Sequence, residues 1–333
     1  MTVKTGAVTA RVPAKVNLQL AVGPPRADGY HDLVTVFHAV ALFDEVTVEP
    51  AERDTVTVTG EGASTVPHDG DNLALRAVAA LRKQVRGGNR TAGVRVSIAK
   101  RIPVAAGLAG GSADAAAALV AANELWAAGL APPRLAEIAA TIGSDVAFAL
   151  LGGTAVGRGR GERLTPALAP ATRYHWVLAF AEGQLSTPKV YAALDRLRSP
   201  GGSRGSGGND FPSGSGGSRG VAPPGPAQPA LDATLMSALR SGDAARLGRA
   251  LSNDLQPAAL SLYPALRKTL AAGLELGALG ALVAGSGPTC VFLAASADRA
   301  LELAVSLSGA GVCRSVARVT GPVPGAAVVS AQG

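Results

Sequence analysis

The stretch Pro103-Val104-Ala105-Ala106-Gly107-Leu108-Ala109-Gly110-Gly111-Ser112-Ala113-Asp114 decides how this chain is read. Before it, Val94, Val96 and Ile98 alternate with polar or small residues, the pattern of a half-buried strand. After it, residues 115–128 are rich in Ala and Leu and hold no Gly or Pro, which predicts a helix. Strand, small-residue loop and helix together aim free backbone N–H groups and a helix N-terminus at an anion. Residues without bulk let the backbone come close to it. No Lys-Ser/Thr follows the glycines, so this is not the common P-loop, and it is not a G-x-G-x-x-G turn. The same residues also suit a plain tight connection, and the loop alone leaves phosphate binding and simple turning both open.

Working outward, Pro132-Pro133 precedes a helix over 134–141, and then comes Ile142-Gly143-Ser144-Asp145-Val146-Ala147-Phe148. Asp145 sits among apolar neighbours after a Gly-Ser turn; it reads as a helix cap, or as a catalytic base. Strands are expected over 152–156 and 176–180. Leu185-Ser186-Thr187-Pro188-Lys189-Val190-Tyr191 reads as a turn entering a helix. Residues 199–229 change character: Gly, Ser and Pro dominate, which marks a flexible insertion or expanded surface loop. Helices over 231–251 and 263–276 follow, then a strand over 281–284 and a second glycine turn, Gly285-Ser286-Gly287-Pro288-Thr289-Cys290. A strand over 291–293, a helix over 298–307 and a strand over 312–319 end the fold, and the tail from Gly321 reads as frayed.

Upstream, residues 8–20 alternate as a strand interrupted by Pro13-Ala14-Lys15-Val16-Asn17. A Lys and an Asn in an apolar strand either face solvent or serve a site. Residues 23–31 are a loop by composition, and strands are expected over 33–41, 45–49 and 56–58. Asp71-Asn72-Leu73 opens a helix to about residue 86, with Asp or Asn as cap, and Gly87-Gly88-Asn89 ends it.

The chain has 333 residues and a hydrophobic fraction of 47%, enough for a large core in one or two domains. Its net charge of +7 comes from scattered Arg without a basic block, so a solvated surface explains it as well as an anionic ligand does. Aromatics at 4% are too few for stacking platforms along a nucleic acid. Two cysteines, Cys290 and Cys313, make no disulfide framework; a reducing, cytoplasmic setting and two buried, inert thiols are expected. Neither a signal-peptide pattern nor an apolar run of membrane-spanning length is visible.

Three distant motifs, Pro13-Ala14-Lys15-Val16-Asn17-Leu18, the central loop and Gly285-Ser286-Gly287-Pro288-Thr289, together resemble the GHMP kinase superfamily. Arg26-Ala27-Asp28-Gly29-Tyr30-His31, Gly143-Ser144-Asp145-Val146 and Ser252-Asn253-Asp254-Leu255 strengthen the likeness, which runs from about Thr9 to Val319 outside the insertion. The resemblance implies an α+β, two-lobed fold: a ribosomal-protein-S5-like domain over 1–175 and a ferredoxin-like domain over 176–333. It implies an ATP-dependent kinase of a small-molecule alcohol, with Lys15 and Asp145 catalytic and Pro103 to Ala113 around the ATP phosphates. Asn17, Tyr30, His31, Thr187, Tyr191, Gly285 and Ser286 fall on substrate-binding positions, and Ser112 is a candidate ligand for Mg²⁺.

The Gly-Tyr-His element implies an acceptor carrying a cytidine diphosphate group, in isoprenoid precursor synthesis by the non-mevalonate route. A cytoplasmic monomer or homodimer without nucleic-acid or membrane partners is expected. A homoserine or mevalonate kinase, and a non-enzymatic nucleotide- or RNA-binding protein, stay open as alternatives. The loop departs from the family's more glycine-rich pattern at Ala105, Ala106 and Ala109, and Ser112-Ala113-Asp114 stands where Ser-Ser-Asn is usual. The alanines keep their N–H groups available if their φ stays negative, and Asp114 is expected to face away from ATP.

Overall fold

The N-terminal half is carried by two long antiparallel strands, β1 (Val8–Pro25) and β2 (His31–Ala51), joined by a turn at Arg26 to Tyr30. The computed structural model describes residues 6–85, 93–168, 172–199 and 228–331. Most of the Gly/Ser/Pro insertion and the expected Gly87-Gly88-Asn89 helix stop lie outside these residues. The breaks expected around Pro13 and between residues 41 and 45 do not occur. The β1–β2 ladder instead shifts register between Pro13 and Ala14 and again between Asn17 and Gln19. A bulge accommodates a residue that lacks the N–H an uninterrupted ladder requires.

Around this pair stand β3 (Thr55–Gly60), β4 (Gly93–Lys100), β5 (Thr154–Gly159) and β6 (Arg163–Pro166). Helices α1 (Leu73–Arg82), α2 (Gly110–Leu125), α3 (Pro132–Ile142) and α4 (Ser144–Leu151) complete this half. Asn72 caps α1 by accepting from Ala74 N–H. The α2 helix is buried nearly all round, with Ala115 to Ala118 and Leu119 inaccessible to solvent, and it packs on β1 and β2. Its alanines let it sit close to the sheet, and apolar residues on every side mark a core helix.

The second half holds β7 (Tyr174–Phe180), α5 (Thr187–Arg198), α6 (Ala233–Ser241), α7 (Ala244–Ala250), β8 (Ser252–Asn253) and α8 (Gln256–Leu262). Then come α9 (Leu266–Glu275), β9 (Gly280–Val283), β10 (Cys290–Ala294), α10 (Ala297–Gly309), β11 (Ser315–Gly321) and β12 (Ala327–Ala331). The order β11-β7-β10-β9, antiparallel throughout, is the ferredoxin-like arrangement. The single helix expected over 231–251 is two, because Gly242 turns left-handed and Asp243 caps a new start through Arg246 N–H. The helix expected over 263–276 begins only at Leu266, since Pro264 holds Tyr263 out of helical geometry.

The frayed tail expected from Gly321 is not frayed: β12 pairs antiparallel with β1 at the edge of the larger sheet. With β8, which pairs with β1, and α6 and α7, which pack into the first core, it carries the C-terminal half back onto the N-terminal one. The β1 strand crosses the same boundary, with Leu18 in the first core and Leu20 and Val22 in the second. Cys290 is buried as expected, whereas Cys313 is only half-buried. Burial pushes the Cys290 thiol up to about 12 and that of Cys313 upward. Among the described residues no helix is long and apolar enough to cross a membrane.

Candidate active site

Lys15 and Asn17 stand two apart on β1 and so share a face. They do not face solvent; both are buried. The Lys15 Nζ donates to Asn17 Oδ1 at 2.8 Å and to the Gly107 carbonyl at 3.1 Å. Asn17 Nδ2 donates to Thr35 Oγ1 at 2.8 Å, and that hydroxyl donates to the Gln19 carbonyl at 2.7 Å. This chain fixes the amide with its oxygen towards the lysine. Asp145 is not a cap: Gly143 holds the cap position of α4, and Asp145 lies in the first turn. Its Oδ2 stands 3.8 Å from Lys15 Nζ, with the side chain 32% exposed. An ammonium has three donors. Among the described residues two are taken, which leaves the third for whatever binds between the pair.

The helix after the central loop starts at Gly110, so Gly110, Gly111 and Ser112 form its first turn. Its cap residue, Ala109, offers no side-chain bond, which leaves the first N–H groups of α2 open. The backbone is left-handed at every second residue, with φ of 52° at Ala105, 79° at Gly107 and 61° at Ala109. The expectation of negative φ therefore fails at Ala105 and Ala109. The turn imposes the conformation, at a cost of about 1 kcal/mol for each alanine. Such left-handed turns expose consecutive N–H groups to an anion. Gly107 is obligatory for a second reason: a methyl built on it would stand 2.0 Å from the Ala284 carbonyl oxygen.

Ala105, Ala106, Gly107, Ala109, Gly110, Gly111 and Ser112 line a cleft of about 1050 Å³, together with Lys15, Asn17 and Asp145. Leu108 and Ala113 are buried beneath it, and Pro103 and Val104 face a separate groove of about 180 Å³. Asp114 turns away from the cleft, as expected. Its Oδ2 accepts from Lys100 Nζ at 2.6 Å, and Lys100 also donates to Asp44 Oδ2 at 2.6 Å. Asp44 Oδ1 accepts from the backbone N–H groups of Arg101 and Ile102. One buried lysine thus ties both ends of the loop to the sheet. Burial raises the Asp114 carboxyl to about 7, against the pull of Lys100 and with a further push from Asp44, while these two carboxylates hold Lys100 above its ordinary range despite burial.

The second glycine turn closes the cleft. Asn253 Nδ2 donates to the carbonyls of Val283 and Gly285, both at 2.7 Å. Ser286 Oγ and Thr187 Oγ1 share a hydrogen bond of 2.9 Å, and Gly285 and Ser286 line the cleft. At its far end stand Tyr30, His31 and Tyr191. Tyr30 is 56% exposed and the Arg160 guanidinium lies 4.8 Å over its ring. The rings of Tyr191 and His31 are 5.0 Å apart, and His31 Nε2 is hydrogen-bonded to Asp195 Oδ1 at 2.9 Å. Burial, helped by the charge of Asp145, pushes the Tyr191 phenol up to about 12, so it stays a donor.

The sequence matches the GHMP kinases N terminal domain over residues 72–153 and the GHMP kinases C terminal domain over 235–313. It is 54% identical to the 4-diphosphocytidyl-2-C-methyl-D-erythritol kinase of Mycolicibacterium smegmatis over 99% of this chain and 94% of that one. The chain belongs to the GHMP kinase family. To the kinase of the same name from Thermobifida fusca it is 53% identical, over 97% of this chain and 98% of the other. A crystal structure of a 4-(cytidine 5'-diphospho)-2C-methyl-D-erythritol kinase superimposes with a TM-score of 0.68 at 32% identity, covering 93% of this chain and 98% of that one.

Within this GHMP kinase, several residues at the cleft escaped the motifs. Asp195 falls on the same face of α5 as Thr187 and Tyr191, at spacings of four, and that helical periodicity is a legible signal. Arg160, just past the end of β5, carried no signal. Nor did Lys100 and Asp44, buried behind the loop rather than lining the cleft, which meet from different strands 56 residues apart.

Proposed function

We propose that this kinase transfers the γ-phosphoryl group of ATP to the 2-hydroxyl of 4-diphosphocytidyl-2-C-methyl-D-erythritol, a step in isoprenoid precursor biosynthesis. The observation that carries the reading is the Lys15–Asp145 pair, 3.8 Å apart in the same cleft as the left-handed loop. An alcohol is a weak nucleophile at neutral pH. In this reading Asp145 accepts its proton as the O–P bond forms. Lys15, held by Asn17 and Gly107, points its free donor at the charge developing on the oxygens. The open N–H groups of the loop and of α2 hold the nucleotide phosphates. Preorganised donors of this kind need no reorientation as the reaction proceeds.

A hard cation bound with a nucleotide keeps few protein ligands, and this cleft suits that pattern. Among the described residues no group of three or more His, Cys, Asp or Glu is placed to hold a metal. Ser112 lines the cleft, so its hydroxyl would hold Mg²⁺, which when bound neutralises phosphate charge.

Tyr30, His31, Tyr191 and Asp195 at one end of the cleft favour an acceptor with a flat, polar-edged ring over the small acceptors homoserine and mevalonate. The test is a coupled ADP-release assay with the cytidyl substrate, its uridine analogue, homoserine and mevalonate. A strong preference for the cytidyl compound over its uridine analogue is expected, with no turnover of homoserine or mevalonate. Equal turnover of homoserine or mevalonate, or ATP binding without any phosphorylation, would displace the proposal.

A further inference from the structure

The α5 helix presents three residues to the cleft at intervals of four: Thr187, Tyr191 and Asp195. Thr187 is bonded to Ser286, and Tyr191 packs on the His31 ring. Asp195 is bonded to His31 Nε2 at 2.9 Å. The carboxylate is 36% exposed and the imidazole only 5%. A carboxylate only accepts, so in a neutral imidazole the proton must sit on Nε2. The other nitrogen, Nδ1, is then a lone-pair acceptor, and no protein group among the described residues is bonded to it. The partner of one histidine nitrogen thus decides what the other nitrogen can recognise.

We propose that Asp195 is a positioning residue for base selection: by fixing the proton on His31 Nε2 it leaves Nδ1 able to accept from an exocyclic amine and unable to donate to a carbonyl. This rests on the cytidyl reading of the cleft. Cytosine presents an amine where uracil presents a carbonyl oxygen. A lone pair facing that carbonyl leaves two acceptors opposed, which is how a hydrogen-bonding site rejects a near-isostere. Tyr191 holds the ring in place, and stacking alone does not separate the two bases.

The test combines two readouts at pH 8.5, above the ordinary imidazole range. In the first, ¹⁵N shifts of the whole wild-type protein report the tautomer; only four histidines need assignment. His31 is expected as the Nε2–H form, and in Asp195→Ala as a mixture. In the second, kcat/KM is measured for the cytidine and uridine compounds. Asp195→Ala is expected to lower the cytidine-over-uridine ratio roughly tenfold, the worth of about one hydrogen bond, through KM for the cytidyl compound. Its saturated kcat and KM for ATP should stay near wild type. Asp195→Asn, whose amide oxygen accepts the same bond, should retain most of the ratio. A wild-type His31 protonated on Nδ1, or an unchanged ratio in Asp195→Ala, overturns the role of Asp195 while leaving the substrate assignment intact. A wild-type enzyme indifferent to the base overturns the cytidyl reading and the specificity role together.

Discussion

Asp114→Asn should stabilise this protein above neutral pH and leave it nearly unchanged in acid. The carboxyl is 3% exposed, one of its oxygens has no partner among the described residues, and the other shares Lys100 with Asp44. One ammonium thus faces two carboxylates in the core, and burial dominates: the acid titrates near 7 in the native state against about 3.8 for an ordinary Asp. Between those values the native state binds a proton that the unfolded chain has released, so stability falls as pH rises. The gap of about 3 pH units, at about 1.4 kcal/mol each, sets the loss at about 4 kcal/mol by pH 8. Asparagine mimics the protonated acid: its oxygen accepts from Lys100 and it carries no charge to desolvate. Urea unfolding at pH 5 and pH 8 measures the difference. The variant's midpoint should exceed the wild type's at pH 8 by on the order of 1 M, and most of that gap should close at pH 5. A variant less stable than wild type at pH 8, or one with the same pH dependence, would refute the reasoning. Either result would mean that the Lys100–Asp114 ion pair outweighs the burial of its charge.

Asp145→Asn should bind ATP normally and lower turnover by roughly 10²–10⁴, the range for a lost general base; near-normal turnover in single-turnover assays removes Asp145 from that role. Gly107→Ala should abolish tight nucleotide binding, because the new methyl would meet the Ala284 carbonyl at 2.0 Å; titration calorimetry showing wild-type ATP affinity would contradict the close approach. Ala109→Gly, by contrast, trades left-handed strain against chain entropy and should move stability by no more than about 1 kcal/mol in thermal melts. Removing residues 203–226 should leave melting temperature and turnover nearly unchanged, since the segment offers little apolar surface to bury and changing loop length costs on the order of 0.6 kcal/mol per doubling; a large fall in either marks it as an ordered part of the enzyme.

Local patterns carried most of the element order, and failures came where tertiary contact overrode them. Gly110 and Gly111 read as loop, yet they open α2, because the missing side chain at Gly110 lets the helix start against Ile102 and the Lys100 ammonium. Asp145 carries the composition of a cap, and only the position of Lys15 on a strand 130 residues earlier gives it another task. Lys15 and Asn17 looked out of place in an apolar strand, and that misfit was itself the signal. The tail was illegible because β12 has no regular alternation of its own. It is held by β1, whose edge it covers. The Lys100–Asp44–Asp114 cluster left no trace because its members come from two strands and a helix with no shared period.

The three motifs of the site also brace one another in a closed circuit. Lys15 donates to Gly107 O, and Gly107 abuts Ala284, one residue before Gly285. Asn253 holds the carbonyl of Gly285 and follows Ser252, whose strand partner is Gln19. Gln19 O accepts from Thr35, Thr35 accepts from Asn17, and Asn17 accepts from Lys15. Some links are local, as between Lys15 and Asn17 on one strand, but the Gly107–Ala284 approach and the Gln19–Ser252 pairing join the two halves, so the circuit closes only when both have folded. Loosening one link leaves buried polar groups unpaired in the next, at about 1–3 kcal/mol each. If Lys15 and the loop serve phosphoryl transfer as proposed, substitutions in this ring should lower stability and turnover together. Asp195, on the cleft-facing side of α5 but outside the ring, would in the proposed role act on the choice of acceptor alone. The division of labour follows from which side chains the circuit includes.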